Sequence, residues 1–220
     1  MSREIVRTKN FVADAASLIV DLARKSLAER NEFRIALSGG NTPRPVYAKL
    51  AEAGLPWEKV IFTFGDERCV PPNDEQSNYR MARESLFDPA KVPQKSIMRI
   101  SGENEPKMAS QEYEQQLGPN FRHDLILLGM GADGHTASLF PGTAALKETK
   151  RRVIENFVPK FDAWRITFTL PFINHARHVC FLVNATEHHE LIERVLGGDM
   201  QYPSACVNPS AGNLFWVLGE

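Results

Sequence analysis

Three short polar stretches hold the residues best suited to chemistry. The first is Ser38-Gly39-Gly40-Asn41-Thr42-Pro43. Its paired glycines let the backbone turn sharply and approach a ligand closely. Thr42 as cap and Pro43 at the first helical position would open a helix, whose free N–H groups and dipole favour a phosphate dianion. The alternative is a tight turn with an ordinary cap. The second stretch is Gly65-Asp66-Glu67-Arg68. Arg68 offers a guanidinium fork for a phosphate or carboxylate, and Asp66 or Glu67 would orient it. Taken alone, such a triplet also reads as a solvated charged turn. The third stretch is Gly129-Met130-Gly131-Ala132-Asp133-Gly134-His135. An imidazole titrates near neutral pH and suits general-base work on water, and Asp133 would fix its tautomer. A capping Asp beside an incidental His is the competing reading.

The third stretch also satisfies G-x-G-x-x-G, and Glu155 lies where a ribose-binding acid would be sought. A single match of this kind is a weak sign of a dinucleotide site, and two titratable side chains in the turn are foreign to it. Other site classes lack their signatures. There is no G-x-S-x-G elbow and no H-E-x-x-H. His175 with His178, and His188 with His189, have no obvious carboxylate or Cys ligands alongside and read as surface or helix-end residues. Cys69, Cys180 and Cys206 are odd in number and widely spaced, which argues against a disulfide framework or a zinc site. No metal is expected.

The elements that must position these stretches follow from periodicity. Apolar residues at helical spacing predict a helix from a cap at Asn10 to about residue 30. Strands are expected over 33–37, 60–64, 124–128, 165–170, 179–183 and 214–218, with a short one near Ile97. Helices are expected after Thr42 up to Gly54, over 77–87, over 105–117 and over 187–196. Alternating strands and helices predict an α/β fold, a mainly parallel, Rossmann-like three-layer sheet with helices on both faces. Open sheets of this kind bind ligands beyond the carboxyl ends of their strands, where the three polar stretches sit. The chain has 220 residues, 43% of them hydrophobic, enough for one core, and a single domain over 1–220 is expected. Its 26 basic and 27 acidic residues leave a net charge of −1, without the basic footprint of a nucleic-acid binder. The charged start MSREIVRTKNF lacks an apolar signal core, and no apolar run approaches the roughly 20 residues that span a bilayer. A cytoplasmic enzyme without membrane or nucleic-acid partners is expected, a monomer or weak homo-oligomer.

Taken in order, these stretches resemble the 6-phosphogluconolactonases of the pentose phosphate pathway. The likeness extends through Ser77-Asn78-Tyr79, Thr136-Ala137-Ser138-Leu139-Phe140-Pro141, Thr167-Phe168-Thr169-Leu170-Pro171, Asn174, Ala176-Arg177, Pro203-Ser204-Ala205 and Trp216. It implies the fold shared by glucosamine-6-phosphate deaminases and ribose-5-phosphate isomerases. It also implies hydrolysis of 6-phospho-D-glucono-1,5-lactone without metal or cofactor. His135 would activate water, while Gly39, Gly40, Asn41, Thr42, Asp66, Arg68 and Arg177 would hold the substrate. The related deaminases carry a Glu five residues after the His, where this chain has Phe140. Ala185 and His188 stand where the family often has a Gly and a phosphate-binding Lys. His188 is therefore a candidate substrate contact with less charge at neutral pH. Beside the lactonase, the deaminase, a non-catalytic sugar-phosphate sensor and, third, a nicotinamide-dependent dehydrogenase are the alternatives.

Overall fold

A computed structural model describes residues 2–186 and 188–220. The chain opens with β1 (Ser2–Thr8), α1 (Phe11–Arg30), β2 (Phe33–Leu37) and α2 (Arg44–Ala51). It continues through β3 (Val60–Phe64), β4 (Asp66–Arg68), α3 (Asn78–Ala82), α4 (Pro106–Leu117) and β5 (Leu125–Leu128). The second half holds β6 (Val153–Val158), β7 (Ala163–Phe168), α5 (Leu170–Asn174), β8 (His178–Asn184), α6 (His189–Leu196) and β9 (Asn213–Gly219).

The main sheet runs β1-β9-β8-β5-β2-β3, and every pairing in it is parallel. Its central strands are largely apolar because both faces are covered. All four residues of β5 are buried, as are four of five in β2 and in β3. The helix α1 packs against α2, β2 and β9. One buried apolar cluster extends from Ala15 to Leu218. Parallel strands send their carboxyl ends to one rim, so the loops after β2, β3, β5 and β8 emerge together.

A second sheet, β4-β7-β6, is antiparallel. The sequence pattern anticipates only β7 of its three strands. Asp66-Glu67-Arg68, read as a polar turn, is a short strand whose residues pair with Thr167, Ile166 and Arg165. β6 mixes one-sided burial with charge, and β1 is almost wholly exposed, so neither shows the apolar signature of a buried strand. Near Ile97 there is only an isolated bridge to Phe62.

Several boundaries shift for local reasons. α2 begins at Arg44 with Pro43, not Thr42, in the cap position. The Asn10 side chain makes no capping bond; Thr8 Oγ1 instead accepts from the Asn10 N–H and donates to Asp14. The segment expected helical over 77–87 starts from a Ser77 cap and widens into a π-turn over Arg83–Phe87. The expected start of the late helix at Glu187 falls outside the described residues. His178 opens β8 and is half-buried rather than a surface or helix-end residue.

Candidate active site

At the carboxyl rim lies a cleft of about 240 Å³ lined by parts of all three polar stretches. That is below the range typical of drug-sized ligands, and suits a small metabolite better than a dinucleotide. Glu155, the residue a nucleotide site would need, lies on β6 and is bound by Ser110 Oγ at 2.6 Å and by Arg151 at 3.1 Å.

The glycine loop forms one wall. Its first residue is tied down because the Ser38 N–H donates to the Tyr47 hydroxyl at 2.9 Å, and that hydroxyl donates back to the Ser38 carbonyl at 2.9 Å. Gly40 has φ +98, a conformation that favours glycine. At Gly39 a Cβ would stand 1.8 Å from Asn78 Oδ1, so only glycine admits the Asn78 amide here. Among the described residues, the N–H groups of Gly39, Gly40, Asn41 and Thr42 have no hydrogen-bond partner. Gly39, Gly40 and Thr42 line the cleft, whereas Asn41 is exposed and does not.

The next wall comes from β4. Asp66 is buried in a brace: Ser138 Oγ donates to one carboxylate oxygen at 2.6 Å and Asn78 Nδ2 to the other at 3.2 Å. Glu67, 3% exposed, accepts from the backbone N–H groups of Arg68, Asn78 and Tyr79 and from the Ser77 hydroxyl. Burial pushes its carboxyl up while these donors pull it down. Neither acid orients the Arg68 guanidinium, contrary to the sequence expectation, because both are committed to holding the Ser77–Asn78 turn. Arg68 donates instead to the Gln76 carbonyl and has no ion pair among the described residues. Its cross-strand neighbour Arg165 lies outside the cleft lining, and its guanidinium is held below its ordinary pKa by burial and by Arg68.

The third wall carries the imidazole. His135 Nδ1 lies 2.5 Å from Asp133 Oδ1, so the carboxylate takes the Nδ1–H and leaves Nε2 as the basic nitrogen. Asp133 Oδ2 accepts from Lys160 Nζ at 2.9 Å. Burial opposes the charge on Asp133, but the hydrogen bonds from Lys160 and His135 outweigh it and hold the carboxyl well below its usual range. The ring stacks on Phe140, with centroids 4.0 Å apart and planes at 21°. A Cβ at Gly131 would lie 2.0 Å from the ring, which explains that glycine. The turn is closed by the Gly131 N–H to the His135 carbonyl and by Thr136 Oγ1 to the Gly129 carbonyl. His188, at the cap of α6, lines the cleft on the β8 side.

Arg177 is the expected site residue that the fold removes. It precedes β8, at the amino end of the sheet, and its guanidinium pairs with Asp124 at 3.3 Å, a carboxylate also bound by Arg30. A parallel strand carries its first residue to the rim opposite its last, so Arg177 and the cleft sit at opposite ends. Three contributors escape sequence reasoning. Asn78 acts through its contact with Gly39, which no local motif encodes, Lys160 sits in the connection after the unanticipated β6, and the stacking of Phe140 is visible only in three dimensions.

The profile of the family described as glucosamine-6-phosphate isomerases/6-phosphogluconolactonase matches residues 7–216. The 6-phosphogluconolactonase of Synechocystis is 42% identical, with 98% of this chain and 94% of the relative covered. That of Nostoc is 37% identical over 94% and 90%. Among solved structures, the Thermotoga maritima 6-phosphogluconolactonase superposes with a TM-score of 0.90 at 29% identity, all of both chains covered. The Trypanosoma brucei enzyme of the same name gives 0.87 at 28% identity, covering 99% of this chain and 95% of its own.

Proposed function

The chain belongs to the glucosamine-6-phosphate isomerase/6-phosphogluconolactonase family, and we propose that it hydrolyses 6-phospho-D-glucono-1,5-lactone to 6-phospho-D-gluconate in the oxidative pentose phosphate pathway. One observation carries this reading: a single small cleft has backbone donors without partners among the described residues and Arg68 on one side, and an Asp-oriented imidazole on the other. A substrate with a phosphate at one end and an ester carbonyl at the other matches both.

The phosphate is held by the N–H groups of the 39–42 loop and by Arg68, with His188 alongside. Its binding energy positions the distant carbonyl. His135 Nε2 takes a proton from water as the water oxygen bonds to C1. Asp133 stabilises the resulting imidazolium. In the 129–134 turn the Gly131 and Gly134 N–H groups are already bonded internally, and Gly129 and Met130 line the cleft whereas Ala132 and Asp133 do not, so the Gly129 and Met130 N–H groups are the oxyanion donors. Collapse of the intermediate breaks the bond from C1 to the ring oxygen, which receives the proton from His135. The product is a carboxylic acid, which ionises.

The deaminase alternative is disfavoured by Phe140, which offers the imidazole an apolar face where a carboxylate would be needed. A silent sensor has no use for the Lys160–Asp133–His135 chain. We take residues 1–220 as one catalytic unit, supported by the buried cluster from Ala15 to Leu218. A cytoplasmic setting fits three unpaired thiols, and the reaction calls for neither nucleic acid nor a partner subunit. Among the described residues no helix is long and apolar enough to cross a membrane.

The test is acid release from freshly prepared 6-phosphogluconolactone, compared with its spontaneous hydrolysis. The reading expects strong acceleration and no ammonia from glucosamine 6-phosphate. Hydrolysis at the spontaneous rate, or ammonia release, would contradict it.

A further inference from the structure

We propose that the tip of the β6–β7 hairpin positions the base: Lys160 fixes Asp133, Phe161 backs the Phe140 floor, and together they hold His135. This inference rests on the lactonase reading of the cleft and extends it to residues outside the glycine, Arg and His motifs.

The geometry has two arms from one short turn, Pro159–Phe161. In the polar arm, Lys160 Nζ donates to Asp133 Oδ2 at 2.9 Å while Oδ1 takes the His135 Nδ1–H at 2.5 Å. Asp133 is itself part-exposed, its side chain 29% accessible. Without a partner on Oδ2, that carboxylate is free to turn towards water and release the imidazole. In the apolar arm, the Phe161 ring meets Phe140 edge-on at 5.7 Å and 78°, and Phe140 stacks on His135 at 4.0 Å. The ammonium also lies 5.6 Å from the centre of the Phe161 ring, so the arms brace each other.

The turn is held firmly enough to serve this role. The β6–β7 ladder continues to Val158 and Ala163, immediately beside the tip. β7 pairs in turn with β4, which carries Asp66 and Arg68. The antiparallel sheet therefore fixes the distance between the wall that binds the phosphate and the pair that activates water. An ion pair with a lysine that is 55% exposed contributes little to stability, so the arrangement is better explained by geometry than by folding.

Lys160 does not touch the substrate and is a positioning residue. The experiment uses Lys160→Met, which keeps the stem, and Lys160→Arg, which restores a donor. Lys160→Met is expected to lower kcat roughly 10- to 100-fold, the scale of a misplaced catalytic group, with KM unchanged. The thermal midpoint should not move, and Lys160→Arg should recover most of the rate. In proton NMR the downfield Nδ1–H signal of His135 should be sharp in the wild type, broadened or lost in Lys160→Met and restored in Lys160→Arg. Phe161→Ala should lower kcat in the same direction by a smaller factor. A wild-type kcat in Lys160→Met, or an unmoved His135 signal whatever the rate, overturns the proposal; so does a rate loss that follows unfolding. The NMR readout needs no substrate, so it stands even if the lactone assay refutes the functional reading.

Discussion

Two histidines show how environment divides labour in this chain. His123, at the amino end of the sheet, is 1% exposed. Its Nε2 meets Thr63 Oγ1 at 2.9 Å, and its ring packs among Phe121, Phe168 and Phe172. Burial pushes its pKa down to about 3, so it stays neutral and immobile. His135, at the carboxyl rim, has a side chain that is 25% exposed and is oriented by a carboxylate that is itself held by a lysine. Both rings touch aromatic side chains, so aromatic contact does not distinguish them. A charged acceptor on one nitrogen and an open cleft at the other do.

Substitutions can separate the two roles. The largest effect belongs to His135→Ala, which should lower kcat by roughly 10²–10⁴-fold, the value of a general base, while the melting temperature and product binding barely change. Next is Arg68→Ala. Losing a charged hydrogen bond, about 1.5–3 kcal/mol, should raise KM roughly 10- to 100-fold for the phosphorylated lactone. Unphosphorylated lactones should be hydrolysed as before, and an equal effect on both would remove Arg68 from the phosphate site.

His123 gives the opposite pattern, in stability and not in rate. Its folded pKa lies below the unfolded value of about 6.5, so the unfolded chain takes up a proton that the native state refuses. The His123 contribution is constant above about pH 6.5 and is lost as pH falls from there towards 3. Urea titrations of wild type and His123→Gln should diverge over that window by up to about 1.4 kcal/mol per pH unit, with activity per folded molecule unaltered. Parallel curves would show that His123 does not titrate as its burial implies. The smallest effect is expected for Arg177→Ala, which should leave KM within about twofold, since surface changes away from a site seldom matter. A large rise in KM would return Arg177 to the phosphate.

The difference between the two ends of the sheet also explains what the sequence could reveal. The apolar runs of β5 and β8, beside the largely apolar β2 and β3, identify a buried parallel sheet, and a parallel sheet brings its carboxyl-end loops together. For that reason Gly39, Gly40, Arg68, Asp133 and His135 were legible. The place of Arg177 is not legible, because a conspicuous cation next to a strand does not reveal at which end it lies. The sheet order and the Asp124 pairing do. β4 and β6 leave no clear pattern because a short or half-exposed antiparallel strand need not be apolar. With them went the register that sets Arg165 beside Arg68 and brings Lys160 to Asp133. Asn78 depends on a contact with Gly39 across nearly forty residues, and no local pattern encodes it.

The proposed reaction requires one cleft to bind a sugar phosphate in a fixed direction, with phosphate at the glycine loop and carbonyl at the imidazole. A crystal structure with 6-phosphogluconate tests it directly. The account predicts phosphate oxygens on the N–H groups of the 39–42 loop and on Arg68, and the C1 carboxylate within hydrogen-bonding distance of His135 Nε2. A ligand bound the other way round, with its phosphate on His135, would contradict it.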